Sequence, residues 1–204
     1  MKEFHTYTLP NGIRGIHRQG KSGVAHCALV VNAGCRDELC DEYGLAHFTE
    51  HAVFKGTAHR KAYQVNCRLE NLGGELNAYT TKECTCFHAR VLDTHIQEAA
   101  DLLCDMYFHS RFGQQETDLE RGVILEEIGM YEDTPDDLVI ERLSSAIYKG
   151  SSLGRPILGT RETLEKIQGD TLRDYCSSRY SAANTVVSVA GSFTMNDIEQ
   201  IARR

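Results

Sequence analysis

Tryptophan is absent from this 204-residue chain and proline occurs only three times. Beside 41% hydrophobic and 25% charged residues, that composition excludes a fibrous or disordered chain and predicts an ordinary soluble globular protein. Basic residues are short as well: 22 Lys and Arg stand against 29 Asp and Glu, for a formal charge of −7. A phosphate-binding groove needs Lys and Arg gathered on one face, so nucleic acid is excluded as a partner. The one mildly basic stretch, His59-Arg60-Lys61, reads as a solvated turn. Long apolar runs are missing too. The run from Ala28 to Val31 falls far short of the ~20 residues of a membrane helix, so no membrane partner is expected.

Eight cysteines are present, but no C-x-x-C pair is found among them, which argues against a disulfide framework. Cys84 and Cys86 alternate along an expected strand, and Cys27, Cys67 and Cys104 sit in apolar or amphipathic runs where cysteine serves as a small hydrophobe. Reduced thiols, and an opening MKEFHTYTLPNG that lacks the pattern of a secretory signal, predict a cytoplasmic setting.

Alternation and β-branched content predict strands over Phe4 to Leu9, Ile13 to His17 and Val24 to Asn32, arranged as an antiparallel meander. Helices are expected from about Gly44 to Phe54 and Ala62 to Asn71, followed by a hairpin of Glu75 to Tyr79 with Thr85 to Val91. Further helices fit Thr94 to Tyr107, Gln115 to Tyr131, Asp137 to Tyr148, Thr163 to Ile167 and Gly169 to Tyr180; Pro135 ends or kinks the second of these. A strand over Thr185 to Ala190 and a last helix from Met195 complete the pattern. With no repeat and no linker, residues 1–204 are expected to form one α+β domain.

The chemistry sits in His47-Phe48-Thr49-Glu50-His51. Residues four apart on a helix differ by only about 40° of rotation, so His47 and His51 can both reach one Zn²⁺. Glu50 projects to one side, where it can take a proton from a water beside the metal. This H-x-x-E-H order is that of the inverzincins. Two histidines and one carboxylate with an open fourth position make a catalytic rather than a structural zinc set. An amphipathic helix can also carry His and Glu on a wet face, but here the motif is interleaved with the core-facing residues Leu45, Phe48 and Ala52. The stretch DLERGVILEEIGMYED offers Glu120, Glu126 and Glu127 for the third ligand. Glu120 and Glu127 share a face with Val123 and Ile124, and Glu126 is rotated away.

Four segments in order, GLAHFTEHAVFKGT, LENLGGELNAYTTKECT, ERGVILEEIGMYEDTPDD and SLGRPILGT, resemble the pitrilysin and insulysin peptidases. The likeness is greatest to the β subunits of mitochondrial processing peptidases and to short bacterial members, and covers nearly the whole chain. It implies a largely antiparallel sheet covered by helices. It also implies one Zn²⁺ held by His47, His51 and Glu127, which lies 76 residues beyond His51, with Glu50 as general base and Glu120 in support. GGELNAYTT resembles the family's edge strand, to which an extended peptide adds, so that Asn77, Ala78 and Tyr79 would line the cleft; Glu70 also matches a family position.

The implied activity is zinc-dependent endopeptidase cleavage of extended or unfolded peptides. The alternative is a non-catalytic, zinc-binding or substrate-holding subunit. Members of the family pair two homologous halves, the second supplying an Arg and a Tyr that hold substrate. The resemblance therefore implies that this chain is an N-terminal half needing a second half-domain or partner subunit, and that alone it binds zinc but cleaves slowly or not at all.

Overall fold

In β3 (Val24–Val31) every second residue is buried, so one face of the strand belongs to a core and the other faces outward. The same alternation builds the rest of the sheet in the computed structural model, which describes residues 4–194 together with 197 and 198. The remaining strands are β1 (His5–Thr8), β2 (Arg14–Gln19), β4 (Glu75–Thr80), β5 (Thr85–Leu92) and β6 (Thr185–Gly191). Their order is β1-β2-β6-β3-β5-β4, antiparallel throughout except where β6 runs parallel to β2. The fold is α+β, a six-stranded, largely antiparallel open sheet with helices against it.

The N-terminal meander is corrected: β6 lies between β2 and β3. The Gly20 to Gly23 link spans the end of that inserted strand, Gly20 donating its N–H to the Gly191 carbonyl (2.7 Å). Crossing two strand spacings of ~4.8 Å is within reach of four extended residues at ~3.3 Å each. A link short enough for a hairpin is thus also long enough to step over a strand.

Helices α1 (Leu45–Ala52), α2 (Ala62–Glu70), α3 (Ile96–His109) and α7 (Gly169–Arg179) contribute to the core, with Leu45, Phe48, Leu69, Leu102, Met106 and Leu172 almost fully buried. They meet Cys27, Leu29, Val31, Phe87, Ala89 and Val189 of the sheet. Helix α4 (Gln114–Glu132) ends before Pro135, which opens α5 (Pro135–Ile147) at a first-turn position where its missing N–H costs nothing. A short α6 (Arg161–Leu164) follows a loop. The helix expected from Met195 falls mostly outside the described residues.

Three local expectations change. Cys67 and Cys104 are exposed, because the buried stripe of α2 runs through Val65 and Leu69 and a residue two positions from Val65 is turned about 200° away. Cys84 precedes β5, so only Cys86 belongs to the strand. Val123 is 48% exposed and does not share the buried face of Ile124. His59, on a bend, and Lys61 are exposed, as expected, while Arg60 between them pairs with Asp101 and Asp105 (both 2.5 Å).

Candidate metal centre

The start of α1 lacks a Ser, Thr, Asp or Asn cap, and is held instead from a distance. Glu38, buried, accepts the N–H groups of Gly44 (3.1 Å) and Ala46 (2.8 Å), two of the donors that a helix leaves unpaired in its first turn. Gly44 has φ +89°, and a Cβ there would lie 2.6 Å from the Leu158 carbonyl oxygen. Gly159 approaches from the other side with φ +76°, where a Cβ would lie 2.3 Å from the Tyr43 oxygen. Two glycines packed back to back thus fix where α1 begins, and with it the direction in which His47, Glu50 and His51 point.

Glu127 reaches these histidines from α4. Its Oε2 lies 3.8 Å from His47 Nε2 and 3.6 Å from His51 Nε2. One donor atom from each of the three residues lies within 4.8 Å of the others. A tetrahedral zinc 2.0–2.1 Å from each donor would space them by about 3.3–3.4 Å, so the two Glu127 distances need to shorten by only a few tenths of an ångström. Glu126 is exposed.

The protonation balance suits a cation. Burial pushes the His47 imidazole down to about 3, so it stays neutral with a lone pair to offer, and its Nδ1 is buried without a hydrogen-bond partner. Burial also works against a charge on His51, but the hydrogen bond and charge of Glu120, with Glu127 and Glu50, outweigh it and raise that imidazole. Burial raises Glu127, and the nearby Glu120 charge adds to it.

Glu120 is buried one turn-pair earlier on α4. Its Oε1 lies 2.8 Å from His51 Nδ1, and its Oε2 accepts from Lys55 Nζ at 2.5 Å. Burial alone would raise its carboxyl, but these two partners hold it below the usual range. An anion fixed on the outer nitrogen of a histidine orients the ring and leaves the inner nitrogen free to ligate. Lys55 was missed from sequence, although its position four residues beyond His51 on a continuing helical turn is a usable signal.

Glu50, buried on the same helix, accepts a hydrogen bond from Thr80 Oγ1 (2.6 Å). Burial raises its carboxyl against that bond. Thr80 ends β4, which forms one edge of the sheet, and no residue class in the sequence singled it out. Asn77, Ala78 and Tyr79 lie on this same edge strand. Ala78 packs toward the core with Leu76, and Asn77 and Tyr79 are exposed on the opposite face. The Asn77 side-chain oxygen accepts the Ala78 N–H (2.8 Å). Glu70 is exposed at the end of α2.

Residues 16–161 match the insulinase family, peptidase family M16. The chain is 43% identical over 199 residues to the uncharacterized zinc protease YmxG of Bacillus subtilis, covering 97% of this chain and 48% of that protein. A probable β subunit of the mitochondrial-processing peptidase of Arabidopsis thaliana is 35% identical over 203 residues, 98% of this chain and 38% of the relative. Among solved structures, a Helicobacter pylori protease superposes with TM-score 0.93 at 21% identity, over 98% of this chain and 49% of that one, which speaks to the fold. The ferredoxin protease FusC, solved as a mutant with Arabidopsis ferredoxin, superposes with TM-score 0.88 at 27% identity, over 98% of this chain and 23% of that one. The chain therefore spans about half or less of the length of the relatives it matches.

Proposed function

The chain belongs to the insulinase family, peptidase family M16, and from that premise we propose that it is the zinc-holding half of a metalloendopeptidase acting on extended peptides. The observation that carries this reading is the closeness of His47 Nε2, His51 Nε2 and Glu127 Oε2, beside a buried Glu50 whose carboxylate accepts from Thr80. One Zn²⁺ per chain would be held there. When bound, zinc supplies Lewis acidity toward a scissile carbonyl and brings the ionisation of water to near neutral pH.

The remaining roles fall to the chain's own groups. Glu50 takes the proton from the attacking water and delivers it to the departing amine, its carboxylate steered by the Thr80 hydroxyl. Glu120, anchored by Lys55, holds the His51 ring. The free edge of β4, through the main chain of Asn77, Ala78 and Tyr79, receives the substrate as an added strand.

A second half-domain or partner subunit completes the enzyme. Supporting this are the greater length of the relatives and the apolar side chains left exposed along α4 and α5, among them Leu119, Met130, Ile140, Leu143 and Ile147. Eight free cysteines favour a reducing, cytoplasmic setting, and among the described residues no helix is long and apolar enough to cross a membrane.

The test pairs metal analysis with hydrolysis of a quenched fluorescent peptide. Full-length protein should hold one tightly bound zinc and cleave the peptide, and the 204-residue chain alone should hold zinc with little or no cleavage. Zinc without cleavage by the full-length protein would favour a substrate-holding subunit, and vigorous cleavage by the isolated chain would refute the need for a partner.

A further inference from the structure

A second cluster of metal-binding side chains lies at the C-terminal end of α3. Asp105 is 4% exposed, and one of its oxygens, Oδ2, is fixed by the Thr57 hydroxyl (2.6 Å) and the Arg60 guanidinium (2.5 Å). The other oxygen, Oδ1, is faced by two imidazoles. His59 Nδ1 lies at 2.6 Å and His109 Nδ1 at 3.3 Å, with the two rings edge to face at 4.8 Å between centroids. One donor atom from each of the three residues lies within 4.8 Å of the others, the same closeness that marks His47, His51 and Glu127.

We propose that His59, Asp105 and His109 form a second divalent transition-metal site, of the Zn²⁺ class, that fastens the segment between α1 and α2 to α3. Two imidazoles and one carboxylate are the donors this class of ion selects. A tetrahedral ion sets its donors about 3.3–3.4 Å apart, a spacing that His109 and Asp105 already have at 3.3 Å. His59 must draw back by several tenths of an ångström, and its side chain, 59% exposed on a loop, is free to do so. Asp105 needs no rearrangement, because Thr57 and Arg60 hold its second oxygen in the way outer partners orient a metal-binding carboxylate.

Entry of the ion displaces any proton shared between the imidazoles and Oδ1, so binding releases protons and no redox step is involved. The guanidinium of Arg60 offsets the Asp105 charge, and the His59 and His109 side chains are 59% and 50% exposed against 9% and 23% for His47 and His51, so water competes more strongly for the ion here. The second site is therefore the weaker. Both histidine side chains are at least half exposed, which leaves the remaining coordination positions to water.

The experiment counts ions on the full-length protein by Zn²⁺ titration with elemental analysis. Two ions per chain are expected, one tight and one weak. The pair His59→Gln and His109→Gln should remove the weak ion only, and His51→Ala the tight one only, so the two sites fail or stand independently. In the unsubstituted protein, saturating Zn²⁺ should also protect His59 and His109 from diethyl pyrocarbonate, read by peptide mass spectrometry. A stoichiometry unchanged by the two glutamine substitutions, or both histidines modified at the same rate with and without Zn²⁺, would overturn the proposal.

Discussion

Glu120→Gln tests how far the metal centre depends on a residue that does not touch the metal. In the native chain the buried carboxylate receives His51 Nδ1 at 2.8 Å and Lys55 Nζ at 2.5 Å. Glutamine keeps one acceptor for the imidazole but turns an amide NH₂ toward the ammonium and removes the negative charge that favours electron donation through the ring. Replacing a partner of this kind costs about 10–100-fold in metal affinity, which is roughly 1.4–2.8 kcal/mol. Lys55 is partly exposed, so its lost pairing adds little beyond that figure. Lys55→Met should therefore weaken zinc less than Glu120→Gln does, and the double substitution should cost less than the sum of the two. Competition with a chromophoric chelator gives the dissociation constants, and circular dichroism shows that each variant is folded. A Glu120→Gln protein with the native dissociation constant would refute the role assigned to the Lys55–Glu120–His51 chain.

In the assembled enzyme, Glu50→Gln should keep its zinc and lose about 10²–10⁴-fold in turnover; appreciable cleavage by the metal-loaded variant would remove Glu50 as the base. Thr80→Val should lower kcat with little change in KM, since the hydroxyl steers Glu50 rather than binding substrate, and an unchanged kcat would leave Thr80 a merely structural residue. Burial pushes the Glu38 carboxyl up from 4.5 to about 8. A raised acid keeps its proton in the folded chain after the unfolded chain has lost it, so its contribution to stability is full below pH 4.5 and fades as pH climbs to about 8. Thermal melts should show that decline flattened in Glu38→Gln, and parallel curves would speak against it. Phe48 is fully buried on the motif helix, so Phe48→Ala should cost about 3–5 kcal/mol in urea unfolding, and a loss below ~1 kcal/mol would mean that α1 is not anchored through this ring.

What the sequence reveals of the site depends on how local each feature is. His47 and His51 meet because both ride one helix, and helical rotation alone predicts it. The same rotation separates Glu126 from Glu127, yet it could not choose between Glu120 and Glu127, which share a face; that choice came with the family resemblance, and in the fold Glu127 Oε2 lies near both Nε2 atoms while Glu120 sits on the far nitrogen of His51. Thr80 and Glu38 were silent in the sequence. Their roles come from bonds that reach 30 residues back from β4 to α1 and 6 to 8 residues forward from a loop to the start of α1, with no cap residue to announce them.

The misplaced strand has the same origin. Strand existence follows from alternation along the chain, but strand neighbours are chosen by pairings between distant segments, and β6 joins β2 and β3 across more than 150 residues of sequence separation. Placing β6 there makes β3 an interior strand, paired on both edges by β6 and β5, and leaves β4 at the outer edge. With β4 outermost, Thr80 is held against Glu50 while the far side of the strand stays unpaired. A peptide added to that edge, as proposed, would run alongside the residue that fixes Glu50, so peptide binding and proton transfer would share one strand.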